Sequence, residues 1–419
     1  MKFTKMSLVA ALLIGSSAFA IENTKVSGDA NLFYGTTDAG SNSLFDKDNS
    51  AADAALNLNV TTDLVKNSTV AISAGAGYTV LSTLGLENNL VSAVWGGAHG
   101  ATANGSSFGV KVNNANWMNE AWIAATAGKT TAKIGRMELD TPMVFTEKWS
   151  IEKNTFEAAV LINQDIPDTT LVGAYVGNGN GTETFGGGAT AGGAGIGQVV
   201  NVNGQFETFG TNGAYAVGAI NNSFKPLTVQ AWYYQLTQLA SAYWLQADLN
   251  MKGVLAGAQY SSDKLLNNSN KSDNVYALML GYDMKGVATV KVAYSSVNEG
   301  GDLGRAGFNT ATDASTAQSK LYTEAWWNYG KVTQSDTDSW NVTVTSPVQG
   351  LFDLGVYYTN ADQSAAAGDN DLSELTLTAG KSFGPLDATL AYVYSDVKTA
   401  TPNDDETSNM IQAYLTLNF

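Results

Sequence analysis

The sequence predicts an all-β protein, an antiparallel β-barrel that closes on itself and crosses a membrane with about eighteen strands. Three observations carry the prediction: apolar and polar residues alternate through many short segments, short and long connections alternate along the chain, and the composition is unusual. The chain has 419 residues, 44% of them hydrophobic and only 14% charged, against roughly 25% charged in an average soluble domain. It holds 43 Gly, 6 Pro, one His and no Cys. Low charge with abundant glycine and aromatic residues in so long a chain points to extended β-structure.

The same composition excludes other classes. Without Cys there is no disulfide scaffold, iron–sulfur cluster or thiolate zinc site, and one His leaves little for metal or general-base chemistry. Lys and Arg number 22 against 38 Asp and Glu, a formal charge of −16. Phosphate backbones need clustered cations, so no nucleic-acid partner is expected. No enzymatic activity is expected either.

The chain opens on an export signal. Lys2 and Lys5 precede an apolar run from Met6 to Ile14, and Ala18-Phe19-Ala20 fits a small-x-small cleavage site. About nine apolar residues are too few to anchor a chain in a bilayer that needs roughly 20. Residues 1–20 are therefore expected to be a cleaved signal peptide, leaving 21–419 as a single barrel domain; loss of its two lysines takes the charge from −16 to −18. No later run has the ~18 apolar residues of a transmembrane helix, so the mature chain is either secreted and soluble or meets the membrane as a closed β-barrel.

The C-terminal segment shows the alternation. Ile411, Ala413, Leu415, Leu417 and Phe419 fall on one face, Gln412, Tyr414, Thr416 and Asn418 on the other. Ala288, Val290, Val292 and Tyr294 oppose Thr289, Lys291 and Ala293 in the same way. Ala388, Leu390, Tyr392 and Tyr394 oppose Asp387, Thr389, Ala391 and Val393. Trp340, Val342 and Val344 stand against Asn341, Thr343 and Thr345; Leu375, Leu377 and Ala379 against Glu374, Thr376 and Thr378; and Leu245, Ala247 and Leu249 against Trp244, Gln246 and Asp248. Apolar residues toward lipid and polar ones toward a wet lumen is the pattern of a transmembrane barrel, with Trp340, Tyr392 and Tyr394 expected in its interfacial girdles.

Connection lengths supply the strand count. Short turns are expected at Asp63 to Ser68, Gly128-Lys129, Gln164 to Thr169, Asn221 to Pro226, Met251 to Gly253, Met284 to Gly286, Ser346 to Gly350 and Lys381 to Pro385. Between them lie loops at Thr36 to Ala52, Leu81 to Ala115, Arg136 to Asn154, Gly177 to Gly204, Leu236 to Ala240, Ser262 to Asp273, Ser296 to Ser335, Ala361 to Asp371 and Lys398 to Glu406. This makes about eighteen strands, with sixteen as the alternative, short turns on a periplasmic rim and long loops outside. Gly186 to Gly197 reads as a flexible surface loop. Trp326, Trp327 and Tyr329, in the longest loop, must bury against either the channel mouth or a neighbouring subunit.

Gly135-Arg136-Met137-Glu138-Leu139-Asp140-Thr141-Pro142, followed by Asn154-Thr155-Phe156-Glu157, resembles the region around the inward-folded third loop of OprD-like porins and of the major outer-membrane porins of Campylobacter-type bacteria. The leader, mature length and terminal Asn418-Phe419 are similar to the latter group. The motif covers about twenty-five residues, and the order of strands and loops extends the likeness along the mature chain. The resemblance implies an eighteen-stranded barrel with its third loop in the lumen and, for the Campylobacter-type group, a homotrimer. The chain departs from the pattern in having only Arg136 and Arg305, where OprD-like channels line one wall with an arginine ladder; this argues against a dedicated carboxylate channel.

Arg136, Glu138, Asp140, Glu147, Lys148, Glu152 and Lys153 crowd into the third long loop of a chain otherwise poor in charge. They are expected to form a constriction in the lumen, with Lys133 and Lys291 on the opposing wall, where carboxylates facing cations select solutes by size and sign. No cofactor is expected. Asp46, Asp48 and Asp53, and Asp404, Asp405 and Glu406, are oxygen ligands of the kind that hold Ca²⁺ or bridge to lipopolysaccharide, but neither group fits the twelve-residue calcium loop, so they read as solvated surface. Gly105-Ser106-Ser107-Phe108-Gly109 matches a nucleophile elbow by letters, yet no helix pattern follows and His99 lies in the same Gly-rich loop. Gly75-Ala76-Gly77 lacks the third glycine of a dinucleotide loop.

The expected function is passive diffusion of ions and small hydrophilic solutes across an outer membrane, with a preference for cations. The competing expectation is a surface adhesin or structural barrel with a plugged lumen. Expected partners are outer-membrane lipid and lipopolysaccharide, permeating solutes, further copies of the chain, and the barrel-assembly machinery through the strand ending in Phe419.

Overall fold

A computed structural model describes residues 22–40, 43–82, 84–86, 90–91, 115–148, 151–181, 200–201, 204–266, 271–312, 317–399 and 406–419. The expected leader, the segment Gly186 to Gly197, His99 with Gly105 to Gly109, and Asp404-Asp405 lie outside the described residues.

The strands are β1 (Glu22–Thr37), β2 (Ser50–Lys66), β3 (Ala71–Ser82), β4 (Ala115–Ala127), β5 (Thr130–Met137), β6 (Phe156–Asn163), β7 (Thr169–Gly179), β8 (Glu207–Thr208), β9 (Ala214–Asn221) and β10 (Leu227–Leu236). They continue with β11 (Ala240–Met251), β12 (Val254–Leu265), β13 (Asp273–Met284), β14 (Ala288–Val297), β15 (Thr337–Val348), β16 (Phe352–Gln363), β17 (Leu372–Phe383), β18 (Leu386–Val397) and β19 (Glu406–Asn418). Each pairs antiparallel with its neighbour, and β1 pairs with both β2 and β19, so the sheet closes. Closure satisfies every edge, as a lipid-embedded sheet requires. β8 has two residues and only extends the end of β7, which pairs directly with β9; the wall therefore has eighteen strands.

The connections alternate as the sequence predicts. Eight turns of two to five residues join the strands on one rim and nine loops join them on the other, the fifth loop being only 237–239. Several turns use a left-handed residue, as at Gly128, Gly253 and Gly286, where φ is +59°, +90° and +74°.

Alternation sets the two faces of the wall. Leu245, Leu278, Leu280, Val292, Leu390 and Leu415 all stand exposed on the outside. Above them runs an aromatic belt on successive strands: Tyr175, Tyr215, Tyr233, Tyr243, Tyr260, Tyr276, Tyr294, Trp340 and Tyr358, with Tyr392 and Tyr394 on β18. Its members touch: ring centroids are 5.0 Å apart for Tyr175–Tyr215 and Tyr233–Tyr243, and 4.7 Å apart for Tyr294–Trp340. An apolar band capped by aromatic rings is the outer surface of a barrel that crosses a bilayer. Strands β4, β5 and β6 carry no outward aromatic residue, which interrupts the belt.

Asp53, read from the sequence as loop surface, lies instead within β2 and is fully buried on the lumen face, because β2 starts at Ser50 and runs further than the turn signals suggest. Asp46 caps the short 3-10 turn Lys47–Asn49 by accepting the Asp48 N–H. Among the described residues, no three His, Asp or Glu side chains converge as a metal site.

Candidate channel lumen and its loops

Two loops fill the upper lumen. The third loop, 138–155, and the longest loop, 298–336, leave the outer rim and fold inward. The second reaches lumen-facing residues of β11, β12, β14, β15 and β17, strands spread round the barrel that one loop can touch together only from inside.

Wall carboxylates and amides pin the long loop at successive points. Asp273 accepts the Leu303 N–H at 2.9 Å and Asp263 the Gly307 N–H at 2.7 Å. Gln259 donates to the Lys320 carbonyl at 2.7 Å and accepts from the Tyr322 N–H at 3.1 Å. The Tyr322 hydroxyl donates to Asp248 at 2.5 Å, and its ring fits only because residue 257 is glycine, where a Cβ would strike the phenol. The strongest anchor is Glu374 on β17. It accepts from the backbone N–H groups of Trp326, Trp327 and Asn328 at 2.8, 2.9 and 2.8 Å and from the Asn328 side-chain amide at 2.8 Å. Three consecutive N–H groups around one carboxylate form a nest, so the negative charge is compensated by backbone dipoles. Trp326, Trp327 and Tyr329, whose burial partner the sequence leaves open, thus sit inside the channel mouth.

The two loops interlock through Glu147, which is buried and accepts from Asn309 Nδ2 at 2.7 Å, Thr312 Oγ1 at 2.8 Å and the Gln318 N–H at 3.0 Å. Asn309 in turn exchanges hydrogen bonds with the Phe145 backbone, accepting at 3.1 Å and donating at 2.9 Å. Asp140 forms an ion pair with Lys320 of the long loop, and Glu138 one with Lys153 within the third loop.

The residues expected at a constriction therefore divide. Asp140, Lys148 and the Glu138–Lys153 pair keep exposed surface at the loops. Glu147 and Glu152 are buried, Glu147 as the latch between loops; burial pushes the Glu152 carboxyl up, with Asp29 adding to the rise and Lys148 opposing it. Lys133 on β5 and Lys291 on β14 stand on the lumen face, Lys133 with its ammonium 4.1 Å from the centre of the Trp122 ring. Arg136 does not join them. It shares its strand face with Ile134, which is 58% exposed on the lipid side. Its Nε lies 2.8 Å from Glu157 Oε1, its guanidinium rests 4.1 Å from the Phe206 ring, and it belongs to the outer surface near the loop rim.

A second carboxylate holds the long loop's own shape. Glu324 accepts from the N–H groups of Ser319, Ala325 and Gly330 at 2.7, 3.0 and 3.2 Å. Burial outweighs these bonds and pushes its carboxyl up to about 7. Nothing in the sequence around Glu324 or Glu374 marks either as a hub, because their partners are backbone N–H groups of no particular residue type.

Open space remains beside the loops. A cavity of about 630 Å³ lies between Lys148, the segment from Gln318 to Tyr329, and the wall residues Asn341, Thr343, Tyr357, Thr389 and Tyr414. A second, of about 410 Å³, continues toward the turn rim past Asp283, Thr345, Asp353 and Thr378, and the two share Tyr357 and Thr389. The lumen face of the wall is acidic: Asp29, Glu120, Asp248, Asp283 and Asp353 against Lys25, Lys133 and Lys291.

No family model matches the chain, and no curated protein matches it. Solved structures do. Pseudomonas aeruginosa OpdK, in a crystal structure with vanillate, superposes with a TM-score of 0.71 at 13% identity, over 95% of this chain and 99% of that one. OccK9 (OpdG) of the same organism gives 0.70 at 13% identity, over 96% and 100%. OccK8 (OprE) gives 0.66 at 16%, over 96% and 100%. At these identities the likeness is one of fold: the chain has the architecture of the OprD-like outer-membrane porins.

Proposed function

We propose that this barrel is a passive outer-membrane channel for ions and small hydrophilic solutes, with a preference for cations. The observation that carries the reading is the pair of adjoining polar cavities along β14 to β19, which leaves a route past the two loops toward the turn rim. A solute entering from the loop side meets Asp140, Lys148 and Lys153 first and then a wall on which carboxylates outnumber lysines. Fixed charge of one sign in a narrow, poorly screened passage raises the local concentration of the opposite sign, so cations are favoured. Deleting Met143 to Lys148 removes the Glu147 latch along with the loop tip, and single-channel conductance should rise. Unchanged conductance would show that the third loop does not limit flow.

The interlocked loops also suit a plugged barrel, the alternative raised by the sequence. Vesicles carrying the protein separate the two readings: swelling in isotonic sugar supports a channel, and tight vesicles support a plug. We further propose a homotrimer contact on the outer face centred on β4 to β6. There the belt is broken and Ala125, Ala132, Ala159 and Gly173 line a shallow apolar groove of about 680 Å³. Lipid and lipopolysaccharide cover the rest of the outer surface. The terminal strand, closed onto β1 by reciprocal bonds between Phe419 and Gly28 at 2.9 and 3.0 Å, offers the barrel-assembly machinery Phe419, a residue 55% exposed.

A further inference from the structure

We propose that the cavity between the long loop and the β15 to β19 wall is a binding station for neutral, ring-shaped polyhydroxy solutes, that is, monosaccharides and their short oligomers. The inference rests on the channel reading and names a class of solute for it.

Five aromatic residues converge on this one space: Tyr322, Trp326 and Tyr329 from the loop, Tyr357 and Tyr414 from the wall. Trp326 from the loop and Tyr357 from the wall both line it as neighbours, with ring centroids 6.3 Å apart and planes inclined by 35°. Neither ring is buried, although the Trp326 backbone is fixed by its 2.8 Å bond to Glu374. A part-exposed ring on a fixed backbone is poor packing but a good platform. The C–H face of a pyranose is apolar and fits an aromatic face, while its hydroxyls point outward in the ring plane. Around the platform stand Gln318, Asn341, Thr343 and Thr389; Thr343 donates to Asn341 at 2.9 Å and Asn341 to Thr359 at 2.9 Å, which leaves the Thr343 oxygen as an acceptor and Gln318 and Thr389 as further amide and hydroxyl groups of the lining. A volume of about 630 Å³ lies within the usual range for small-molecule sites.

Charge decides against other aromatic-loving ligands. Glu324 lines the cavity and Glu147 and Glu374 lie near its Tyr329, but each carboxylate already accepts at least three hydrogen bonds, so an organic cation would have to displace them to pair directly. Lys148 is the one cation among the described lining residues, and an anion held there must leave past Asp283 and Asp353. A neutral ring meets neither obstacle.

The test uses the full mature chain refolded into planar bilayers, with maltotriose as probe and sorbitol, an open-chain polyol, as control. Maltotriose should reduce single-channel current saturably, well beyond the effect of sorbitol at equal concentration. Trp326→Ala should raise the half-blocking concentration at least tenfold, and Trp326→Phe should largely restore it. Current that falls in parallel for both solutes, or saturable block by benzoate and not by maltotriose, overturns the inference while leaving the channel intact. Absence of any conductance overturns the channel reading itself. Tryptophan fluorescence of detergent-folded protein, titrated with maltotriose, reads the site without need of conduction, and a linear, unsaturable response there also refutes it.

Discussion

Replacing Glu374 by alanine should release the long loop from the wall without unfolding the barrel. The wild-type carboxylate accepts four hydrogen bonds between 2.8 and 2.9 Å, three of them from consecutive backbone N–H groups. A hydrogen bond to a charged acceptor is worth about 1.5–3 kcal/mol net, and a buried donor left unmet costs about 1–3 kcal/mol. The four do not add, since they share one carboxylate and the lumen readmits water to freed N–H groups. We take about 3 kcal/mol as the loss in loop docking, which raises the ratio of released to docked loop about a hundredfold. The β-ladders on either side of residue 374 are untouched, so the heat-modifiable mobility of the folded barrel on gels should not change. In planar bilayers the variant should show larger mean conductance and frequent current transitions. Glu374→Gln, which keeps one acceptor but presents an amide donor to N–H groups, should fall between. Conductance and noise identical to wild type would refute the view that this carboxylate holds the loop in the pore.

Further predictions follow the same logic. Glu324 has its carboxyl raised from 4.5 to about 7, so the folded loop binds its proton more tightly than the released loop. Docking is therefore most stable below about pH 4.5 and weakens as pH rises to about 7, beyond which it levels off; current noise should increase from pH 5 to pH 8, and Glu324→Gln should flatten the profile. Leu278→Arg on the lipid face should cost about 2–4 kcal/mol of barrel stability by denaturant titration, whereas Thr343→Arg on the lumen face should fold normally and shift selectivity. Ala132→Trp fills the outer groove and should weaken the proposed trimer in cross-linking while leaving single-pore conductance unchanged.

The strand count and the two faces of the wall were legible because a lipid-embedded barrel imposes a period of two on every strand. Leu415 and Thr416, or Val342 and Thr343, reveal their sides from sequence alone. The same rule placed Arg136 beside Ile134 and away from Lys133, but its position next to a charged loop masked that parity. The loops were legible only in part. Charge density marked 138–155, whereas the long loop's anchors on Asp263, Asp273 and Glu374 join residues far apart in sequence through backbone groups. No local pattern encodes such a bond. Glu147 reads as one more charge in a charged run, and only the fold brings Asn309, Thr312 and Gln318 to it.

We propose an open, cation-preferring passage beside two docked loops. Its most direct test is the reversal potential of single channels under a salt gradient in planar bilayers. Stable, ohmic steps with a cation-selective potential, reduced when Asp283 and Asp353 are changed to Asn, are the predicted result. An anion-selective potential, or folded protein without conductance, would contradict it.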